Sequence, residues 1–258
     1  MLDTESLLFM DKEIIIAPDS TELCHRAAQR LVALIQANAR EGRPFHISLA
    51  GGTTPKALYQ LLARSPYVEE IPWDHVRIFF GDERMVPPDH PDSNFRMANE
   101  ALFSHVPLNT DQIHRIKTEL GDPREAANHY DQLLERALPR DDQGISQFDL
   151  VLLGLGPDGH VASLFPGTDI LDLSDRRAAA VWVERLNTWR ISITFPLINH
   201  ARNVWLFVAG EGKADIVGEV LGKPREQARY PVEMIQPKGL LSWYLDQAAA
   251  ARLHHPAE

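Results

Sequence analysis

A carboxylate and an imidazole stand one residue apart in Gly154-Leu155-Gly156-Pro157-Asp158-Gly159-His160, directly after the apolar run Phe148-Asp149-Leu150-Val151-Leu152-Leu153. Such a run reads as a buried strand, and the glycines as the turn that ends it. In α/β enzymes ligands bind beyond the carboxyl ends of the strands, and the ordinary pKa of histidine suits proton transfer near neutral pH. The simplest chemistry for His160 is therefore that of a general base acting on water, with Asp158 orienting the imidazole or steadying its cation. Backbone N–H groups of the glycine turn are the expected oxyanion donors. A tight turn with a surface histidine is the plainer alternative. The glycines also satisfy G-x-G-x-x-G, but Asp158 would face the pyrophosphate and Pro166 cuts the next segment short, so nicotinamide chemistry is set aside.

Other residues suit an anion. Gly51-Gly52-Thr53-Thr54-Pro55 joins a predicted strand to a helix start, where free N–H groups, the helix dipole and a threonine hydroxyl would cradle a phosphate. The alternative is a turn with Thr54 as N-cap. Lys213 follows Gly210 and Gly212 at another helix start and could close over the same anion. It is not a Walker lysine, because Phe207 and Ala214 stand where that motif needs Gly and Ser or Thr. Arg190 opens a strand and offers a planar fork. In Gly81-Asp82-Glu83-Arg84, Asp82 could orient a sugar hydroxyl and Arg84 could pair with an acid or the substrate, or the charges could form a solvated cap. Ser93-Asn94 could bind hydroxyls or cap the next helix. The histidines show no paired ligand spacing, H-E-x-x-H or Cys-His cluster, and G-x-S-x-G is missing, so neither a metal nor a serine nucleophile is expected.

The elements that must position these residues alternate. Strands are predicted at Lys12–Ala17, Phe45–Ala50, Val76–Phe80, Phe148–Leu153, Arg190–Phe195 and Val204–Ala209. Helices are predicted at Leu23–Arg40 behind an Asp19/Glu22 capping box, from Pro55 through Leu62, and at Asn94–Phe103, Pro123–Leu138, Ala214–Leu221 and Leu240–Arg252. That order predicts a mostly parallel, Rossmann-like sheet with helices on both faces.

With 258 residues, 44% apolar and 24% charged, one domain is expected, with a core over about 12–252. A net charge of -10 and the lack of a basic stripe argue against nucleic acid. Met1-Leu2-Asp3-Thr4-Glu5 carries acid where a signal peptide carries base, and no apolar run is long enough for a membrane span, so a cytoplasmic location is expected. Cys24, the single cysteine, reads as a buried filler of an amphipathic helix, and the tail from His254 to Glu258 as disordered.

Taken jointly, Leu49-Ala50-Gly51-Gly52-Thr53-Thr54-Pro55, Gly81-Asp82-Glu83-Arg84 with Val86-Pro87, Ser93-Asn94, Gly154 to His160 with Ser163-Leu164-Phe165-Pro166, and Gly210 with Lys213-Ala214 resemble the 6-phosphogluconolactonases, over about residues 14 to 250. The resemblance implies the α/β fold of sugar-phosphate isomerases and deaminases. It also implies cofactor-free hydrolysis of a phosphorylated sugar lactone in the pentose phosphate pathway; separately, a monomer or weak homo-oligomer is expected. It makes His160 the base, with Asp158 and Arg84 nearby, and puts Gly52, Thr53, Arg190 and Lys213 on phosphate-binding positions. Ala50 departs from the serine many members carry. The related deaminases resemble this segment but carry a glutamate just before the proline. Here that position is Phe165, which together with Arg84 favours the lactonase over the deaminase. A sugar-phosphate sensor is the alternative outside the enzymes, and such proteins usually add a DNA-binding domain.

Overall fold

The computed structural model describes residues 6–9, 12–222 and 228–253. The expectations for Met1–Glu5 and for the tail from His254 lie outside the described residues. In chain order the strands are β1 (Ser6–Phe9), β2 (Lys12–Ala17), β3 (Phe45–Leu49), β4 (Val76–Phe80), β5 (Asp82–Arg84), β6 (Leu150–Leu153), β7 (Ala178–Val183), β8 (Thr188–Ile193), β9 (Asn203–Val208) and β10 (Leu240–Asp246). The α-helices are α1 (Ser20–Arg40), α2 (Thr53–Leu62), α3 (Tyr67–Glu70), α4 (Asn94–Ala101), α5 (Pro123–Ala137), α6 (Phe195–Asn199) and α7 (Ala214–Leu221).

A seven-stranded sheet runs in the order β1-β2-β10-β9-β6-β3-β4, parallel throughout except where β1 pairs antiparallel with β2. A second, three-stranded antiparallel sheet has the order β5-β8-β7. In the large sheet the chain moves from β3 outward to β4, then returns through β6 to β9 and β10. The strand order thus reverses between β3 and β6, and the loops leaving their carboxyl ends diverge there into a crevice. The predicted α/β architecture holds, with the small antiparallel sheet in addition. Among the described residues no helix is long and apolar enough to cross a membrane.

The local chemistry accounts for the elements. Asp19 caps α1 by accepting from the N–H groups of Thr21 and Glu22, both at 2.9 Å. Leu23, Ala27, Leu31 and Ile35 then turn one apolar stripe inward. Cys24 lies on that buried side, and burial pushes its thiol up to about 11. The central strands β6 and β9 are buried on both faces, including Leu150, Val151, Val204 and Trp205, as parallel strands covered by helices must be.

Four readings need correction. Leu240–Asp246 is not the start of a terminal helix but β10, seated between β2 and β9, and Leu241 to Asp246 are all buried. An amphipathic helix would leave half of Leu-Leu-Ser-Trp-Tyr-Leu in water, whereas a central strand buries both faces. Each large apolar side chain so covered contributes roughly 1.5–3 kcal/mol, which decides the competition. Thr54 is not the cap of α2: Gly52 is, with φ 103, and Thr53 and Thr54 already lie within the helix. Asp82-Glu83-Arg84 is not a solvated cap, because it forms β5 with Asp82 and Glu83 buried. Finally, the strand containing Arg190 runs Thr188–Ile193, and Phe195 opens α6.

Candidate active site

The loop after β6 is shaped by its glycines. Gly156 N–H donates to the His160 carbonyl at 2.8 Å and Gly159 N–H to the Gly156 carbonyl at 3.0 Å, closing a tight turn. These amides are thereby used, so the glycine-turn N–H groups of Gly156 and Gly159 are not oxyanion donors. Gly159 has φ +75, and a Cβ on it would sit 2.5 Å from Tyr230 Cβ, so glycine is required twice over. Beyond the turn, Ala162 holds φ 49 between the bridged Val161 and Leu164, a left-handed conformation that is costly for a residue with a side chain. Ser163, fully buried, keeps the segment in place: its N–H donates to Ser192 Oγ at 3.2 Å and its hydroxyl to Asp82 Oδ2 at 2.5 Å.

This turn presents a dyad. His160 Nδ1 lies 2.5 Å from Asp158 Oδ1, so an ionised Asp158 fixes the proton on Nδ1 and leaves Nε2 as the basic nitrogen. Burial pushes the His160 pKa below its ordinary value, outweighing the pull of Asp158 in the other direction. Burial also pushes the Asp158 carboxyl up, but the hydrogen bond and charge of His160, with Arg185, hold it below the usual carboxylate range. The imidazole stacks on Phe165, ring centroids 4.1 Å apart.

Around His160 opens a cleft of about 300 Å³. Gly51, Gly52, Thr53, Asp82, Arg84, Arg190 and Lys213 line it together with His160. Asp158 is not on the wall and reaches the cleft through His160, and Ser93 and Asn94 do not line it either. At one side α2 begins, and the N–H groups of its first turn have no partner within the helix. Tyr59, buried in α2, holds the preceding loop by donating to the Ala50 carbonyl at 2.9 Å and accepting from its N–H at 3.0 Å. Asn94 packs so closely on Gly51 that a Cβ there would lie 2.2 Å from its Oδ1.

Another part of the wall is cationic. Arg84 and Arg190 face each other across β5 and β8, and the Nε of each is buried with no hydrogen bond among the described residues. Like charges directly opposite on paired strands repel. Asp82 relieves part of this at 3.8 Å from Arg190, and Arg84 Nη1 donates to the Asp92 carbonyl at 2.5 Å. Burial lowers the Arg190 pKa. Asp82 itself is engaged at both oxygens, by Asn94 Nδ2 at 3.1 Å and by Ser163. Glu83 accepts from Arg84, Asn94 and Phe95 N–H and from Ser93 Oγ, yet burial still pushes its carboxyl up. Ser93 caps α4 through Arg96 N–H, and Ser93 and Asn94 are buried, so their work is to build the wall.

Lys213 reaches the cleft from the loop after β9. Its ammonium donates to the Leu155 carbonyl at 2.6 Å, and burial lowers its pKa. That loop turns at Gly210, φ 95, whose N–H donates to the buried Asp246 carboxylate at 3.0 Å. Asp246 ends β10, so the strand misread as helix supplies this anchor.

Sequence reasoning missed Arg185. Its Nη2 lies 2.9 Å from Asp158 Oδ2, at the tip of the β7–β8 hairpin. The signal was Asn187, a residue that tolerates the left-handed turn it adopts here at φ 47, between two runs that alternate as strands. Among the described residues no group of three or more His, Cys, Asp or Glu side chains is placed to hold a metal ion.

Residues 18–243 match the family model for glucosamine-6-phosphate isomerases/6-phosphogluconolactonase. A 6-phosphogluconolactonase from Nostoc is 37% identical over 244 residues, covering 95% of this chain and 99% of the relative. Another, from Haemophilus influenzae, is 39% identical over 237 residues, covering 92% and 97%. The solved structure of the 6-phosphogluconolactonase from Trypanosoma brucei superposes with a TM-score of 0.83 at 29% identity, covering 96% of this chain and 100% of that one.

Proposed function

The chain belongs to the glucosamine-6-phosphate isomerase/6-phosphogluconolactonase family, among its 6-phosphogluconolactonases, and from that premise we propose that it hydrolyses 6-phosphogluconolactone to 6-phosphogluconate with His160 as the general base. The observation that carries the reading is one cleft that holds both a His160–Asp158 dyad and a pair of arginines, each with an orphaned buried N–H.

The substrate phosphate is gripped by Gly51, Gly52 and Thr53 at the start of α2, by the forks of Arg190 and Arg84, and by Lys213. An anion there relieves the repulsion between the two guanidiniums and gives their Nε groups an acceptor. Gripping the remote phosphate turns binding energy into orientation of the lactone carbonyl against His160. Nε2 takes a proton from water as the water oxygen bonds to the carbonyl carbon. As the carbon–ring oxygen bond breaks, the same proton passes to the departing oxygen, and the new carboxylic acid ionises. Asp158 steadies the imidazolium between these steps. Asp82 acts on the cleft by holding Arg190 and Ser163. A deaminase that needs an acid beside the histidine finds the apolar face of Phe165 there instead.

The test is the decay of freshly made 6-phosphogluconolactone with the protein, with His160→Ala and with buffer alone. The expected result is fast hydrolysis by the wild type and a loss of about a hundredfold or more in the variant. Wild-type decay no faster than buffer, or ammonia release from glucosamine 6-phosphate, overturns the reading.

A further inference from the structure

The carboxylate of Asp158 is shared between a fixed cation, Arg185, and an imidazole that becomes one during catalysis, His160. Oδ1 meets His160 Nδ1 at 2.5 Å and Oδ2 meets Arg185 Nη2 at 2.9 Å. The same pair meets again on Phe165, with the imidazole stacked at 4.1 Å and the Arg185 guanidinium carbon 4.9 Å from the ring centroid. Arg185 therefore touches both supports of His160, while 48% of its own side chain remains exposed, so filling the core is not its purpose. Its hairpin tip is built to hold it: Asn187 takes the left-handed turn and Trp182 Nε1 donates to Glu184 Oε2 at 2.7 Å.

We propose that Arg185 is a positioning residue for the dyad, holding Asp158 by its second oxygen and drawing off part of its charge, so that His160 stays neutral and correctly aimed at working pH. The inference rests on the reading of His160 as the base. A carboxylate held at one oxygen can rotate about its bond, and a donor on the other oxygen removes that freedom. A nearby fixed cation also disfavours a second positive charge on the imidazole. The charged groups facing His160 divide clearly: Asp158 and Asp82 favour its cation, and Arg185 opposes it. Arg84, Arg190 and Lys213 line the same cleft, and Tyr230 borders the turn at Gly159.

The test compares wild type, Arg185→Ala and Arg185→Lys by NMR titration of the His160 ring in the substrate-free protein, the resonance identified by its loss in His160→Ala. The pH profile of kcat/KM is measured alongside. In Arg185→Ala the His160 titration and the acid limb of kcat/KM both move up by about half to one pH unit, and in Arg185→Lys most of that displacement is absent. An unmoved titration overturns the proposal, whether the rate is unchanged or falls equally at every pH, the latter marking Arg185 as a substrate contact. Because the titration needs no substrate, it stands apart from the lactonase reading, whose failure shows as wild-type decay no faster than buffer, and from the assignment of His160 as base, whose failure shows as full activity in His160→Ala.

Discussion

Gly156 lacks a side chain because His160 occupies the space one would need. A Cβ at this position would lie 1.9 Å from Nδ1 and 2.1 Å from Cε1 of the His160 ring, and 2.7 Å from Asp158 Oδ1. In Gly156→Ala the ring must retreat by roughly 1.5 Å or more to regain ordinary van der Waals separation. It cannot do so within the dyad, since the Asp158 hydrogen bond and the Phe165 stack fix it on both sides. Misplacing a reacting group by about 1 Å costs on the order of a hundredfold in rate, so kcat falls by about that factor or more. The fold survives, because the Gly156 backbone lies outside the left-handed region and the clash is with a partly exposed side chain. Gly154→Ala is the matched comparison: its Cβ meets nothing within 4 Å, so kcat is retained and any effect falls on KM. The assay is saturating 6-phosphogluconolactone with the buffer rate subtracted, alongside thermal unfolding of both variants. Equal kcat in the two variants would refute the steric argument.

The acid limb of kcat/KM reports the free enzyme, and burial depresses the His160 pKa, so the inflection lies below the ordinary imidazole value of about 6.5. A limb above that value contradicts the assignment. Asp149 is buried at the other end of β6, accepting from His46 N–H at 2.8 Å with Arg202 Nε at 3.6 Å. Asp149→Ala leaves the His46 N–H without its acceptor and therefore lowers unfolding free energy by about 2 kcal/mol at neutral pH in urea melts. Burial pushes the Asp149 carboxyl up, but the His46 hydrogen bonds hold it below its ordinary range. The unfolded chain thus binds the extra proton first, and the contribution, complete above about pH 4, fades as pH falls through the folded value. Wild-type and variant stabilities that stay equally far apart down to about pH 2 contradict this. Cys24, buried with its thiol pushed up to about 11, resists alkylation in the native protein and reacts on unfolding; rapid native labelling contradicts its placement.

Much of the site was legible because its parts are local. A strand end, a glycine turn and an Asp two residues before a His make Asp158 the natural partner for His160 from the sequence, and the turn's own geometry then supplies the contact at 2.5 Å. The approximate starts of α2 and α7 are read in the same way, from Gly, Thr and Pro for α2, where the cap falls on Gly52 instead of Thr54, and from Gly210 and Gly212 for α7. Longer-range parts were misread for a common reason. The apolar run Leu240 to Leu245 fits either a helix or a doubly buried strand, and only its seat between β2 and β9 chooses. For Asp82 and Glu83 the sequence left a site role and a solvated cap both open, and only the second sheet, Ser163 and α4, which cover them, decide against the cap.

By itself the sequence determined which residues could do chemistry and which strand ends carried them, since backbone sterics and capping act over a handful of neighbours. Only the tertiary structure decided their company. Pairing of β5 with β8 sets Arg84 opposite Arg190, the β7–β8 hairpin delivers Arg185 to Asp158, and β10 sends Asp246 to hold the loop of Lys213. Those contacts join residues distant along the chain, and they exist because burying the sheet fixes the register on which the charged groups meet.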